Sequence, residues 1–332
     1  LVLVLGTTLF SAGVLLGGLA QSIGSLVVFF GVVNALGQCC IAPPAYSLIS
    51  QHHDERTRST AMGIFQGADY LGIILASSAA GWIAGLGGGM WRIAFMLVGG
   101  LGIAWAVALG FLMRNTPQPS ADRPTVRDAF GALVRKPTAV LIAVAFGMFM
   151  YTNCALRLWT VAFIQRSFEG VSLASAAFHA VFWFYVGALI GISLTARALD
   201  FVGGKRPSVR LETSFVGFLL CIAPMIAVAY SSTLVGCCAS LASLGVTVGV
   251  YEAAHYPAMF DCIEPRYRSV ATGLTGCLAF LIASFAPMTV GWMSDHLSMR
   301  LAMASMAVFF LMGALVLLPA IFVFFKKDYV GR

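Results

Sequence analysis

The chain is written mostly in long apolar stretches separated by short polar gaps. Ten stretches stand out, near 1–20, 26–50, 59–85, 91–113, 138–164, 173–197, 209–231, 233–260, 269–294 and 300–325. A helix needs about 20 apolar residues to cross the hydrocarbon core of a bilayer, and each stretch approaches or exceeds that length. Inside lipid the backbone must satisfy its hydrogen bonds within the segment, which runs of this length do as helices rather than strands. The pattern predicts an all-α, polytopic membrane protein with ten helices present.

Two of the polar gaps are copies of one another. Glu55-Arg-Thr-Arg-Ser-Thr-Ala-Met-Gly63 leads into an apolar run ending at Gly81-Trp82, and Glu264-Pro-Arg-Tyr-Arg-Ser-Val-Ala-Thr-Gly273 leads into one ending at Gly291-Trp292. The register holds at 210 residues, pairing Arg56 with Arg266, Arg58 with Arg268, Ser59 with Ser269, Ala61 with Ala271 and Trp82 with Trp292. Self-similarity at a long fixed offset marks a protein of two equivalent halves, as many secondary transporters are. The second half opens near Lys136, and subtracting the offset implies roughly seventy residues and two further helices ahead of Leu1. The expected organisation is therefore 1–113 as the remainder of a first bundle (helices 3–6 of a twelve-helix protein), 114–137 as a joining segment, and 138–332 as a complete second bundle of six. In the joining segment Pro117, Pro119 and Pro124 are followed by Thr125–Lys136, which reads as a short amphipathic helix on the membrane surface.

Composition agrees with this picture. The chain is 60% hydrophobic and 10% charged, with a formal charge of +7. The cations explain themselves by position: most of the 20 Lys and Arg, including Arg56, Arg58, Arg123, Arg127, Arg206, Arg266, Arg268 and Lys326, fall in gaps on one side. By the positive-inside rule that side and the C-terminal segment are cytoplasmic, in a cell (inner) membrane. The basic balance thus reports topology and no nucleic-acid partner. The eight cysteines lack metal-type spacing and read as core filler. The first run starts directly at Leu1 without an initiator Met or a basic n-region, so the chain is expected to be cut there.

Charged groups inside a span cost at least about 2.5 kcal/mol near its centre, so each needs a partner or a task. In the run 59–85, Gln66, Asp69 and Tyr70 fall on one helical face; in 138–164, Asn153 and Arg157 are four apart, with Tyr151 nearby; in 233–260, Glu252, His255 and Tyr256 share a face; in 26–50, Asn34 and Gln38 do. Arg157 is the cation set deep in a helix, and its fork suits a carboxylate or phosphate. The sharp reading is an anionic small-molecule substrate contacted by Arg157, Asn153, Tyr151, Gln38, Asn34, Gln66, Tyr70 and Tyr256. The plain one is an internal ion pair with Asp69 or Glu252, or a side chain that snorkels to the interface. Asp69, Glu252 and His255 are candidates for a proton site, since burial and a neighbouring cation act in opposite senses on such a group and let proton loading alternate with substrate. Glu252 and His255 lie nearer the cation-rich end, so solvation by water there is the alternative to a proton role. Gly13, Gly17, Gly18, Gly63, Gly67 and Gly72 are expected to permit close helix approach, and Pro43-Pro44 and Pro257 to kink their helices.

Ala35-Leu-Gly-Gln-Cys-Cys-Ile-Ala-Pro-Pro-Ala-Tyr-Ser-Leu-Ile-Ser50, Ala61-Met-Gly-Ile-Phe-Gln-Gly67 and Trp91-Arg-Ile-Ala-Phe95 resemble the fourth to sixth helices of major facilitator superfamily transporters, most of all the anion:cation symporters and the spinster-like proteins. Ala196-Arg-Ala-Leu-Asp-Phe-Val-Gly-Gly-Lys-Arg206 resembles the second-half copy of the superfamily's signature loop, with Asp200, Gly203 and Arg206 in place. The resemblance implies the major facilitator fold, two pseudo-repeated six-helix bundles around a central cavity, working by alternating access as a monomer. It implies no enzyme activity and no cofactor beyond a proton or other coupling ion. It also implies an organic anion such as a sugar acid as substrate, with an amphiphile such as a lysolipid, or uncoupled exchange, as the rival. Charge and helix-end interactions among Arg56, Arg58, Asp200, Gly203, Arg206, Arg266 and Arg268 are then expected to latch the halves shut and release them; alternatively these residues only set topology. One departure stands out. Many such symporters carry Glu where Gln38 stands and Arg where Gly31 stands, so the usual fourth-helix coupling site is missing and coupling falls to Asp69 or is absent.

Overall fold

The computed structural model describes residues 2–54, 57–85, 87, 89–112, 125–203, 206 and 208–330. Glu55, Arg56, Arg114, Arg123, Lys205 and the three prolines of the joining segment lie outside them, as does the side chain of Trp82. Among the described residues the protein is all helical: α1 (Val2–Gly18), α2 (Ile23–Leu26), α3 (Asn34–Cys39), α4 (Ala42–His52), α5 (Arg58–Gly85), α6 (Met90–Leu112), α7 (Val126–Val134), α8 (Pro137–Ser167), α9 (Leu173–Gly203), α10 (Val209–Tyr230), α11 (Leu234–Cys262), α12 (Arg268–Ala283), α13 (Ala286–His296), α14 (Met299–Pro319) and α15 (Phe325–Asp328). A π-helical stretch, Val27–Val33, joins α2 to α3, and another, Ala320–Phe324, joins α14 to α15. Among the described residues eight spans are long and apolar enough to cross a membrane; with α1 and α5 they account for the ten expected runs. The offset of 210 is visible in helix ends, since α4 stops at His52 and α11 at Cys262, while α5 starts at Arg58 and α12 at Arg268.

Two runs expected to be single helices are interrupted, and one rule explains both. A proline inside a helix lacks the N–H for the bond to residue i−4 and its ring presses on that carbonyl. Pro43 stands four residues after Cys39, where α3 ends, and Pro287 four after Ala283, where α12 ends. The chain turns and restarts as α4 and α13. Pro257 and Pro224, in contrast, sit inside α11 and α10, which continue past them.

The chain forms two compact units, one of Leu1–Leu48 with Leu75–Thr125 and one of Ile49–Ile74 with Val126–Arg332. Helix α5 thus contributes its first part, through Ile74, to the second unit. In the first unit α1 packs on α6 and α3. A Cβ on Gly13 would stand 2.6 Å from the Asn34 backbone nitrogen, and one on Gly99 2.5 Å from that of Leu15. Arg92 donates to the carbonyls of Gly18 and Ala20, occupying acceptors left open where α1 ends.

The second unit is built around the crossing of α9 and α11. Gly187 and Gly191 on α9 meet Gly245 and Gly249 on α11 with no room for a side chain: a Cβ on Gly249 would lie 2.5 Å from the Ala188 carbonyl oxygen and the Ile192 nitrogen. In lipid, where apolar surface gains little by leaving its solvent, such backbone-to-backbone packing is what holds helices together. Aromatic side chains fill the adjoining space, with Tyr251 against Phe149 and Phe218, at ring separations of 4.5 Å in both cases. Of the other glycines expected at close contacts, Gly17, Gly18, Gly63 and Gly67 face neighbours within 3.3 Å of a built Cβ, whereas Gly72 faces open space. Helix α7 buries Ala129 and Leu133 and leaves Val126 and Phe130 exposed, a two-faced pattern that suits the membrane surface.

Gly249→Val is expected to cost on the order of 1–3 kcal/mol through overpacking and to lower the melting temperature of the detergent-purified protein, whereas Gly72→Ala leaves it unchanged or slightly raised.

Candidate functional site

Four helices of the second unit bring polar side chains together. Arg157 on α8 donates from Nε to Asn153 Oδ1, one helical turn earlier, at 2.9 Å. Its guanidinium carbon lies 5.7 Å from the centre of the Tyr185 ring on α9, and Tyr185 packs against Tyr70 of α5 with rings 5.3 Å apart. The Arg157 charge acts on Asp69 and on the Tyr185 hydroxyl, and Asp69 acts on Glu252 of α11. Among the described residues Arg157 nevertheless enters no ion pair. Its side chain is exposed, as is that of Asp69. The internal ion pair, one reading open from the sequence, is therefore not what this structure holds.

Three groups on α5 and α11 carry buried atoms with no hydrogen-bond partner: the Tyr70 hydroxyl, one Glu252 carboxylate oxygen and His255 Nε2. Buried polar groups are normally bonded, so each such atom calls for an explanation. His255 is 2% exposed. It stacks on Phe146 at 4.2 Å, lies 4.5 Å from the Tyr256 ring, and bonds the Tyr251 hydroxyl through Nδ1 at 3.3 Å. The alternative that water solvates His255 at the cation-rich end is thus set aside, because three aromatic rings enclose it.

The other expected contact residues scatter. Gln66 is half-buried on α5. Tyr151 is turned away from Arg157; its hydroxyl bonds Thr289 and its ring stacks on Phe309 at 3.7 Å, so its place is in the packing of α8 against α13 and α14. In the first unit, Asn34 donates to the Phe10 carbonyl at 3.2 Å, tying α3 to α1, and Gln38 is exposed.

At the cation-rich end of the second unit a buried ionic cluster forms. Asp200, near the end of α9, accepts the backbone N–H groups of Ser59 at 2.9 Å and Thr60 at 2.6 Å. These are orphan donors in the first turn of α5, where the helix dipole also favours an anion. Arg210 reaches Asp261 at 2.9 Å and Asp200 at 3.9 Å, and Arg58 reaches Asp261 at 3.3 Å. Arg268 donates to the carbonyls of Phe260 and Ile263, closing the end of α11. Arg206 and Arg266 instead form solvent-facing pairs with Glu212 and Glu264, and Gly203 is the last residue of α9.

Tyr185, Arg210 and Asp261 were not singled out from the sequence. Arg210 looked like one more topology-setting cation. Asp261 stands one residue past the apolar run that ends near 260, although a carboxylate flush against such a run is itself a signal that it is shielded. Tyr185 lies in an aromatic stretch where nothing distinguishes it from core.

These features define a class: an all-helical, multi-pass membrane transporter rather than an enzyme. A sequence profile of the Major Facilitator Superfamily matches residues 1–210, and the chain belongs to that superfamily. No curated protein sequence matches it. Among solved structures it is similar to a bacterial homolog of the human lysosomal transporter Spinster in an inward-facing, occupied conformation (21% identity, TM-score 0.71, covering 100% of this chain and 84% of that one). It is similar as well to FucP, the E. coli fucose:proton symporter, in an outward conformation (12%, 0.75, 95% and 81%), and to the human organic anion transporter MFSD10 (13%, 0.72, 95% and 76%). At these identities the likeness is one of fold.

Removing Arg210 leaves two buried carboxylates short of a partner, so Arg210→Ala is expected to destabilise by about 3–5 kcal/mol. Breaking the exposed Arg206–Glu212 pair with Arg206→Ala costs under about 1 kcal/mol. Thermal melts of the two variants side by side check the contrast.

Proposed function

We propose that this transporter takes up a small organic anion, such as a sugar acid, together with protons, by alternating access. The observation that supports the anionic substrate is the state of Arg157: a guanidinium steadied by Asn153 and Tyr185, exposed, with no carboxylate in ion-pair contact. A guanidinium in a membrane span that feels the Asp69 charge without pairing to it keeps donors for an anion. In this reading Arg157, Asn153 and Tyr70 lead the substrate contacts, with Tyr185 added. Gln66, Gln38, Asn34, Tyr256 and Tyr151 belong to the same proposal, although the bonds of Tyr151 and Asn34 suit packing better. Asp69 carries the proton, with Glu252 and His255 as further carriers.

The gate in this proposal comprises Arg56, Arg58, Asp200, Gly203, Arg206, Arg266 and Arg268. Its support falls on Arg58 and Asp200, which tie the start of α5 to α9 and α11 through buried bonds, and extends to Arg210 and Asp261. The bundles are assigned to 1–113 and 138–332, joined by 114–137, and the working unit is a monomer in the inner membrane with its cation-rich loops and C-terminal segment in the cytoplasm. A lysolipid or similar amphiphile, or uncoupled exchange, is the second reading. The aromatic neighbourhood of Tyr70, Tyr185, Phe146 and Tyr256 favours it, as does the absence of an acid at Gln38.

The test is uptake of labelled sugar acids into liposomes containing the full-length protein, with and without an inward proton gradient. Accumulation is expected only with the gradient, and Asp69→Asn is expected to abolish it while sparing exchange. Arg157→Gln is expected to weaken substrate binding by about tenfold or more, the value of one charge-assisted hydrogen bond. Uptake indifferent to the gradient and to both substitutions excludes the proton-coupled anion reading.

A further inference from the structure

The described chain ends in a segment that folds back onto the ionic cluster. Asp328 of α15, 6% exposed, accepts the Thr138 backbone N–H at 2.9 Å, in the first turn of α8, and its main-chain carbonyl accepts from Lys136 Nζ at 3.1 Å. Two residues later the Val330 N–H donates to the main-chain carbonyl of Asp261 at 2.9 Å. Because α11 ends at Cys262, that carbonyl is one of the last four in its helix and has no intrahelical donor. Val330 supplies one. The side chain of the same Asp261 binds Arg58 and Arg210.

We propose that Asp328 and Val330 are positioning residues of the gate. Asp328 fastens the segment to the start of α8, and Val330, two residues on, holds the backbone of Asp261 in the orientation that brings its carboxylate to both guanidinium groups. The inference rests on the reading of Arg58 and Asp261 as a gate. Loosening the segment lets the last turn of α11 swing, and the Arg58–Asp261 contact opens more often.

Val330→Pro removes the N–H, and the Tyr329 backbone, at φ −60° and ψ 125°, lies in the extended region that a residue before proline prefers. Val330→Ala keeps the N–H and serves as its control. The reporter is native: Cys262, next to Asp261, is free and 0% exposed, while Cys221 and Cys237, also free and 0% exposed, report loosening elsewhere in the unit. The full-length protein is treated with N-ethylmaleimide and labelling at each cysteine is followed by mass spectrometry. Val330→Pro is expected to raise the labelling rate of Cys262 by about threefold or more, because the rate follows the open population, with Cys221 and Cys237 unchanged and Val330→Ala like the parent. Asp328→Ala, which frees the other end of the segment, gives the same pattern and decides the matter if Val330→Pro does not fold. Equal Cys262 labelling in the variants and the parent, or a rise at all three cysteines together, overturns the inference. Arg58→Gln separates the two layers: a rise at Cys262 there, with none in the segment variants, keeps the gate and removes the positioning role, whereas no response to Arg58→Gln removes the gate itself.

Discussion

Asp261 is 3% exposed and shared between two guanidinium groups, one of which also leans on Asp200. Taking such charges out of water costs several kcal/mol per ion, and the cost is recovered only when geometry and further hydrogen bonds are nearly complete. The cluster goes part of the way toward that condition by drawing on helix ends. Asp200 is offset by first-turn N–H groups of α5, Arg268 by last-turn carbonyls of α11, and the Asp261 carbonyl by a donor from beyond α15. The ends of five helices therefore depend on a handful of ionic contacts, and these contacts make the start of α5 a member of the second unit.

The membrane environment explains why the two polar regions differ so much. At the helix ends, Asp200, Arg210, Asp261 and Arg268 each meet a charged or main-chain partner. Among the spans, Arg157 has an amide and an aromatic face, and Glu252, His255 and Tyr70 each keep an unbonded atom. Incomplete satisfaction in a costly environment is tolerable where a ligand or proton completes it during part of a cycle. The contrast is between a cluster in which ions meet ions and helix ends and a region in which an arginine meets only an amide and an aromatic ring.

Much of this was legible in the amino-acid sequence because lipid imposes simple rules. Span number followed from the lengths of apolar runs, the two-fold plan from the register linking Arg58 with Arg268, and the Asn153–Arg157 pairing from a spacing of four on a helix. What escaped depended on tertiary neighbours. Nothing local distinguishes the partner of Asp200 as the backbone of Ser59 and Thr60, or separates Tyr151, turned toward Thr289, from Tyr185, set beneath Arg157. The prolines differ in outcome. Pro43 and Pro287 follow a helix end by four residues, whereas α11 and α10 continue past Pro257 and Pro224.

The glycine crossing of α9 and α11 has a mechanical consequence. Two helices that touch through their main chains have no side chains between them to shear or repack, so they behave as a single girder. Tyr185 is mounted on one rail and Glu252 and His255 on the other. The spacing of these groups is then a fixed gauge, and whatever changes in the site during a cycle must change by movement of α5 or α8 against it.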